Sequence, residues 1–436
     1  MKFKIFSLLI FPVLFLACSH KETTAPEPEF VRVENGQFMI GDSVYKFIGT
    51  NFWYGAILAS EGRGGDRERL NKELDLLQSL GVDNLRILVG GDGDEDTPSH
   101  IKPVLQTAPG VYNDTILDGL DYLMAELEKR NMKAVLYLNN SWEWSGGYGT
   151  YLEWAGMGKA PDPTYDGYDT YVNHVANFVR NDSAKKMSAN HVRNIVSRTN
   201  RYTNKPYSES PAIMSWQIAN EPRAFASDSL TKASFENWLI DQAVLIKSID
   251  PNHLVSTGNE GLYGSMVDWD LWERIHTNPN IDYGLLHLWP YNWQWIDKTN
   301  VVEGVDSAWV HAYEYIQPHV ERMKKANRPL VMEEFGYPRD GFVFEPGSPT
   351  TGRDKFYEHV FSLVTDTDEL NGVNFWGWGG LANPVHENWE PWDEYTGDPA
   401  QEAQGLNSVF AKDTSTIELI KKATGKLKGE RVNSKE

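Results

Sequence analysis

Two stretches of this chain end an apolar run in a carboxylate. At 216–223 the order is Trp-Gln-Ile-Ala-Asn-Glu-Pro-Arg, and at 330–336 it is Leu-Val-Met-Glu-Glu-Phe-Gly. Glu221 and one of Glu333 or Glu334 are therefore candidates for a paired-carboxyl site. Two such groups can divide the labour of bond cleavage: one protonates a leaving oxygen, and the other attacks or steadies the cation that forms. A separation of about 5–5.5 Å suits a covalent intermediate. Neighbouring side chains of a strand point to opposite faces, so Glu333 and Glu334 are not expected to face the site together. The residues alone do not choose between them.

The elements that must hold these groups follow from hydrophobic periodicity. Apolar runs at 47–51, 84–89, 133–139, 213–220, 253–257, 283–288, 330–335 and 373–378 read as strands. Between them, 67–80, 116–130, 230–249, 308–326 and 353–364 carry apolar residues three and four apart, as Leu70, Leu74, Leu77 and Leu80 do. Strands alternating with helices imply an α/β fold, a (β/α)8 TIM barrel. The other candidate is a doubly wound open sheet, but no Gly-rich phosphate loop follows an early strand. A short N-terminal β-hairpin is expected around Asn35-Gly36, with a second turn at Gly41-Asp42. In a barrel, reactive groups sit at strand C-termini and in the loops that follow, which is where Glu221, Glu333 and Glu334 fall. Strands four and seven then face each other across the mouth.

Composition narrows the partners. The 436 residues carry 41 Lys+Arg against 61 Asp+Glu, a net charge of −20, which repels phosphate backbones and makes nucleic acid an unsuitable partner. There are 16 tryptophans, and eleven fall at expected strand ends or in the loops beyond: Trp53, Trp142, Trp144, Trp154, Trp289, Trp293, Trp295, Trp376, Trp378, Trp389 and Trp392. Flat amphipathic rings suit the apolar C–H faces of sugars. Asp92, Asp94 and Asp96 are spaced like the start of a calcium loop, but Thr97 and Pro103 fall where that loop needs Gly and Glu, so no metal is expected and the segment reads as a solvated acidic loop.

Residues 1–17 have a basic start and an apolar stretch too short to span a bilayer, the pattern of a secretory signal. The stretch ends Leu-Phe-Leu-Ala-Cys at 14–18, which resembles the lipobox of bacterial lipoproteins. That resemblance implies an exported protein with a lipid on Cys18, the sole cysteine, held to the cell envelope by a polar tether at 18–29. Residues 30–436 are then the catalytic barrel, and no disulfide can form within the chain.

The two carboxylate motifs resemble the acid/base and nucleophile strands of glycoside hydrolase family 5. Further segments resemble its β-mannanase branch, subfamily 7: Phe-Ile-Gly-Thr-Asn-Phe-Trp-Tyr at 47–54, Leu-Asn-Asn-Ser-Trp-Glu-Trp-Ser-Gly-Gly at 138–147, Tyr-Thr-Asn-Lys-Pro-Tyr at 202–207 and Tyr-Thr-Gly-Asp-Pro-Ala-Gln-Glu-Ala-Gln-Gly at 395–405. The resemblance implies a retaining endo-β-1,4-mannanase acting on mannan, glucomannan or galactomannan, or on manno-oligosaccharides, as a monomer without a cofactor. It gives Glu221 the acid/base role and Glu334 the nucleophile role, so Glu333 should point toward the helices and find a partner there. Glu221 must then hold a proton for the leaving oxygen.

Carried over in the same way, Arg86 supports the nucleophile, since a nearby cation favours the ionised carboxylate. Asn220 reaches the sugar 2-hydroxyl, His287 sits at the active site, and Trp376 floors the subsite holding the sugar to be transferred. Trp53, Asn140, Trp142 and Arg223 are expected to contact substrate, the Asn-Asn-x-Trp loop and Arg223 favouring mannan over cellulose. Trp289 departs from the pattern, standing where the family has Tyr; its indole N–H can donate but cannot accept. Tyr291 is nearby at a different offset. The remaining alternatives are a β-1,4-glucanase, or a glycan-binding protein on a disabled barrel, against which the presence of both carboxylates argues.

Overall fold

The computed structural model describes residue 1 and residues 29–433. The expected signal segment, Cys18 and nearly all of the tether lie outside the described residues. The chain then makes a small antiparallel sheet of Arg32–Glu34, Gln37–Ile40 and Ser43–Val44. Its first turn is Asn35-Gly36 with φ of 52° and 74°, the left-handed pair that a two-residue hairpin needs. The expected hairpin is therefore present, extended by a third strand. Phe38 packs edge-on to Tyr283, with ring centroids 5.2 Å apart, in an apolar cluster that includes Val135, Met214, Leu285 and Val331.

Eight parallel strands follow: β1 (Phe47–Asn51), β2 (Asn84–Leu88), β3 (Lys133–Tyr137), β4 (Ile213–Gln217), β5 (Leu254–Ser256), β6 (Gly284–Leu288), β7 (Leu330–Phe335) and β8 (Gly372–Phe375). Their spatial order is 5-4-3-2-1-8-7-6, with β8 beside β1, as in a barrel and unlike an open doubly wound sheet. The ring has no ladder between β5 and β6. There Asp282 joins the edges: its N–H donates to the Val255 carbonyl at 2.9 Å, and its carboxylate accepts from the Val255 N–H at 2.6 Å.

Helices α1 (Arg67–Leu80), α2 (Asp114–Lys129), α3 (Asp182–Val196), α4 (Ser229–Ile249), α5 (Trp269–His276), α6 (Val305–Ala326), α7 (Thr351–Thr365) and α8 (Thr414–Asn433) surround the strands. α1 shows how sequence sets such an element. The Asp66 carboxylate accepts from the Arg69 N–H at 2.8 Å to start it, and Gly81, at φ 81°, ends it. Leu70, Leu74, Leu77 and Leu80 are buried along one face. Each full burial of such a side chain contributes about 1.5–3 kcal/mol.

Several strands stop short of their expected ends. β2, β3 and β4 finish at Leu88, Tyr137 and Gln217, and beyond them Asn140 and Asn220 meet only as an isolated bridge. The chain needs to leave the sheet there, because Glu221 adopts φ 44°. Replacing the cap in Asp66→Ala should lower stability by about 1 kcal/mol in denaturant unfolding, without changing the catalytic rate.

Candidate active site

The ladders of β7 slip at one point on both sides. Against β6, Met332 pairs with Leu286 but His287 pairs with Glu334; against β8, Met332 pairs with Val373 but Phe335 with Phe375. β7 thus carries one extra residue, a β-bulge, and strict alternation fails there. The expectation that Glu333 faces the helices is wrong for this reason. Its carboxylate lies inside the barrel, accepting from Gln217 Nε2 at 2.5 Å and from the Tyr283 hydroxyl at 3.2 Å, with Arg86 Nε 3.8 Å away. Burial pushes its pKa up, against the opposing charges of Arg86 and His287. Glu334 lines the cleft above, so the division of roles between the two stands apart from the error in direction.

Arg86 is fully buried and serves five groups. Nη1 donates to Glu334 Oε1 at 2.5 Å and to Asn51 Oδ1 at 3.0 Å, Nη2 to Asn220 Oδ1 at 2.8 Å, and Nε to Gln217 Oε1 at 2.8 Å. Its guanidinium lies 4.4 Å from the Tyr137 ring centroid. Asn220 is thereby oriented: its oxygen faces Arg86, and its amide donates to Asn140 Oδ1 at 3.2 Å.

Glu221 and Glu334 meet at His287. Nδ1 of the imidazole lies 2.8 Å from Glu221 Oε1 and 3.3 Å from Glu334 Oε2, and ligand-type atoms of the three residues all fall within 4.8 Å of one another. This is also the one group with metal-triad spacing among the described residues. Its carboxylates are already held by Arg86 and by Trp142, whose Nε1 donates to Glu221 Oε2 at 2.6 Å.

Burial opposes charge on both members of the Glu221–His287 pair, and their mutual attraction overcomes it. The His287 hydrogen bond and charge, with Arg223 behind, hold Glu221 below the usual carboxylate range, while Glu334 and Glu221 raise His287 to about 9. The pair therefore shares a proton along the 2.8 Å contact between Glu221 Oε1 and His287 Nδ1.

A cleft of about 940 Å³ opens over these groups, walled by six of the eleven tryptophans picked out above: Trp142, Trp144, Trp289, Trp293, Trp295 and Trp376. Trp376 meets Trp289 edge-on at 5.8 Å, and Tyr291 lines the cleft beside them. Arg223 also lines it, lying over the Trp142 ring at 5.1 Å and paired with Glu260.

The model of the GH family 5 beta-mannosidase-like family matches residues 28–431. The chain belongs to this family. It is 32% identical to a family 5 mannosidase of Rhizomucor miehei solved in complex with mannosyl-fructose, over 93% of this chain and 98% of that one, with a TM-score of 0.84. It is 28% identical to mannan endo-1,4-beta-mannosidase 1 of Arabidopsis thaliana over 84% of this chain and 85% of the relative. The endo-1,4-beta-mannanase of Rhizomucor miehei shares the fold, with a TM-score of 0.67 at 23% identity over 91% of this chain and 99% of that one.

Within this family 5 barrel, two expected contact residues do not line the cleft. Trp53 is packed under it, donating to the Gly397 carbonyl at 3.0 Å. Asn140 is buried between Ser145, the Trp142 N–H and Asn220, so it positions the wall rather than forming it. Asp92 is not solvated either: it is buried against Gln106, while Asp94 turns back onto the Thr97 and Asp96 N–H groups, and the two do not converge.

Four cleft carboxylates went unmarked by sequence: Glu143, Glu260, Asp297 and Glu402. Glu260 follows β5 by four residues and satisfies the same strand-end rule as Glu221. Glu143 stood inside the quoted Trp-Glu-Trp, and Glu402 inside the quoted 395–405 segment. Burial raises Glu143 to about 7 and Glu402 to about 8.

A lysine cannot reproduce the fork of Arg86. Arg86→Lys should lower kcat about 100-fold with a smaller effect on KM, the loss of one or two charge-assisted hydrogen bonds of about 1.5–3 kcal/mol each, measured by steady-state kinetics.

Proposed function

We propose that the chain is a retaining endo-β-1,4-mannanase, hydrolysing internal bonds of mannan, glucomannan or galactomannan, of the subfamily 7 type. The observation that carries this reading is the placement of Glu221 and Glu334, with oxygens inside 4.8 Å, beneath an aromatic cleft. That spacing leaves no room for a water between them, as an inverting enzyme requires, and fits direct attack. The names of the plant relatives support mannan as the polymer.

In the first step Glu334 attacks the anomeric carbon, steadied by Arg86, while Glu221 protonates the leaving oxygen. In the second, Glu221 accepts a proton from water, which displaces Glu334. Asn220 keeps one amide hydrogen free for a sugar hydroxyl, and Trp376 floors the transferred ring. His287 couples the steps. As Glu334 loses its charge to the new bond, the imidazolium loses a main source of its stability, which returns the proton to Glu221 for delivery.

The likeness in shape to the Rhizomucor miehei mannosidase favours a second reading, removal of mannosyl units from chain ends. Falling viscosity of a mannan solution ahead of mannose release supports internal cleavage; mannose release at constant viscosity supports the second. For the cell, the reading is a monomer exported and held to the envelope by a lipid on Cys18. Metabolic labelling with a fatty acid, lost in Cys18→Ala, tests this.

Glu334→Gln should abolish mannan hydrolysis, by about 10⁴-fold or more, while Glu333→Gln, which disturbs the Arg86 network but removes no group facing the cleft, should lose far less. Near-normal hydrolysis by Glu334→Gln would refute the assignment, and comparison with carboxymethylcellulose separates mannanase from glucanase. The Glu221–His287 pair keeps its proton below about pH 9 and loses it above, so kcat/KM should fall on the alkaline side from about 9. In His287→Gln the proton rests on Glu221 alone, and that alkaline limb should move to lower pH in a pH–rate profile.

A further inference from the structure

The barrel ring has no ladder between β5 and β6, and one short segment closes this seam at the cleft end. Residues 257–260 hold the chain beyond β4 on one side. The Ala219 N–H donates to the Thr257 carbonyl at 3.2 Å, the Glu221 N–H to the Gly258 carbonyl at 3.0 Å, and Asn259 Nδ2 to the Pro222 carbonyl at 3.0 Å. Only glycine fits at 258, where φ is 80° and a Cβ would fall 1.8 Å from the Ala219 oxygen. On the other side, the Glu260 carbonyl accepts from the His287 N–H at 3.1 Å and from the Tyr315 hydroxyl of α6 at 2.8 Å. The segment thus sets the backbone of both Glu221 and His287.

The Glu260 side chain reaches the same two residues by charge. Its carboxylate, 1% exposed, pairs with Arg223. That guanidinium lies over the Trp142 ring, 5.1 Å from its centroid, and Trp142 Nε1 donates to Glu221 Oε2 at 2.6 Å. Arg223 favours the ionised form of Glu221. Burial pushes Glu260 up to about 7 against the charge of Arg223, and the Glu221 charge adds to the rise. Above that pH Glu260 is an anion that offsets Arg223. The other titratable groups around the cluster are Glu334 of β7 and, on α6, Tyr315 and His319, the last accepting from the Leu262 N–H at 3.0 Å. Burial raises the Tyr315 hydroxyl well above its usual range and lowers His319 to about 3, so neither changes charge between pH 7 and 9.

Resting on the mannanase reading, we infer that Glu260 is a positioning residue for the acid/base pair. Its backbone seats His287 across the seam, and its carboxylate cancels Arg223, so that Glu221 and His287 keep their shared proton into the alkaline range.

The test is the pH profile of kcat/KM on mannohexaose for the parent, Glu260→Gln and Glu260→Asp, with thermal unfolding to verify that each is folded. Gln keeps the size of the side chain and an acceptor for Arg223 but loses the charge. Asp keeps the charge and loses a methylene. In Glu260→Gln the uncancelled guanidinium favours ionised Glu221, so the alkaline limb should move down from about 9 by about one pH unit. In Glu260→Asp the limb should stay near 9, whatever the height of the plateau. A limb that stays in place in both variants would overturn the inference. An equal downward shift in both, or a larger one in Glu260→Asp, would also overturn it by assigning the effect to packing. Failure of Glu260→Gln to fold would overturn it as well, by making the carboxylate a structural closure of the seam. Each of these outcomes leaves the mannanase reading intact. A parent enzyme inactive on mannohexaose would overturn that reading, and the inference with it.

Discussion

The site depends on one buried guanidinium. Removing the Arg86 charge from water costs several kcal/mol, and the fold repays this only because its surroundings supply an opposite charge and acceptors on nearly every side. Those partners come from different strands: Asn51 from β1, Gln217 at the end of β4, Asn220 beyond it, and Glu334 from β7, with the Tyr137 ring of β3 against the cation. None is close to Arg86 in sequence except through the barrel. The interaction that orients Glu334 is therefore also one that specifies how strands meet at this end of the barrel. A cation of this kind, once paired, punishes any register in which a partner is missing, because an unpaired buried charge is far costlier than a lost surface bond.

The bulge in β7 follows from the same demand. A regular strand would send one of Glu333 and Glu334 to the helices, and Arg86 would have one carboxylate within reach. The extra residue lets Glu333 sit lower, between Gln217 and Tyr283, while Glu334 rises to the cleft beside His287. Gln217 is shared: its oxygen accepts from Arg86 and its nitrogen donates to Glu333, so its amide orientation is fixed by the two charges it separates. The lower carboxylate helps balance the guanidinium without competing for substrate.

This also marks what sequence could carry. The α1 boundaries were legible because Asp66, the leucine stripe and Gly81 act locally. Glu221, Glu334 and the barrel order were legible because strand ends and family motifs keep their spacing. The direction of Glu333 was not, since a one-residue slip reverses every inference from alternation and leaves no mark in composition. The depths of Trp53 and Asn140 were not either: both lie in loops whose burial depends on neighbours, such as Gly397 and Ser145, that the fold brings to them. Glu260 meets the strand-end rule, but no motif frames it.

Placing His287 between two carboxylates changes how the acid must work. An acid whose proton is already drawn onto an imidazole would be a poor donor if the resting charges persisted through the reaction. They do not persist. The Glu334 charge is the largest attraction holding the imidazolium, and in the proposed mechanism bond formation at the anomeric carbon spends that negative charge. On the proposed mechanism the proton is therefore released toward Glu221 as the glycosidic bond breaks, and the regained carboxylate of Glu334 draws it back when the intermediate is hydrolysed. Timing of this kind needs no moving part. It needs only that the two carboxylates share a neighbour, and the bulge and Arg86 together keep Glu334 where that neighbour can feel its charge come and go.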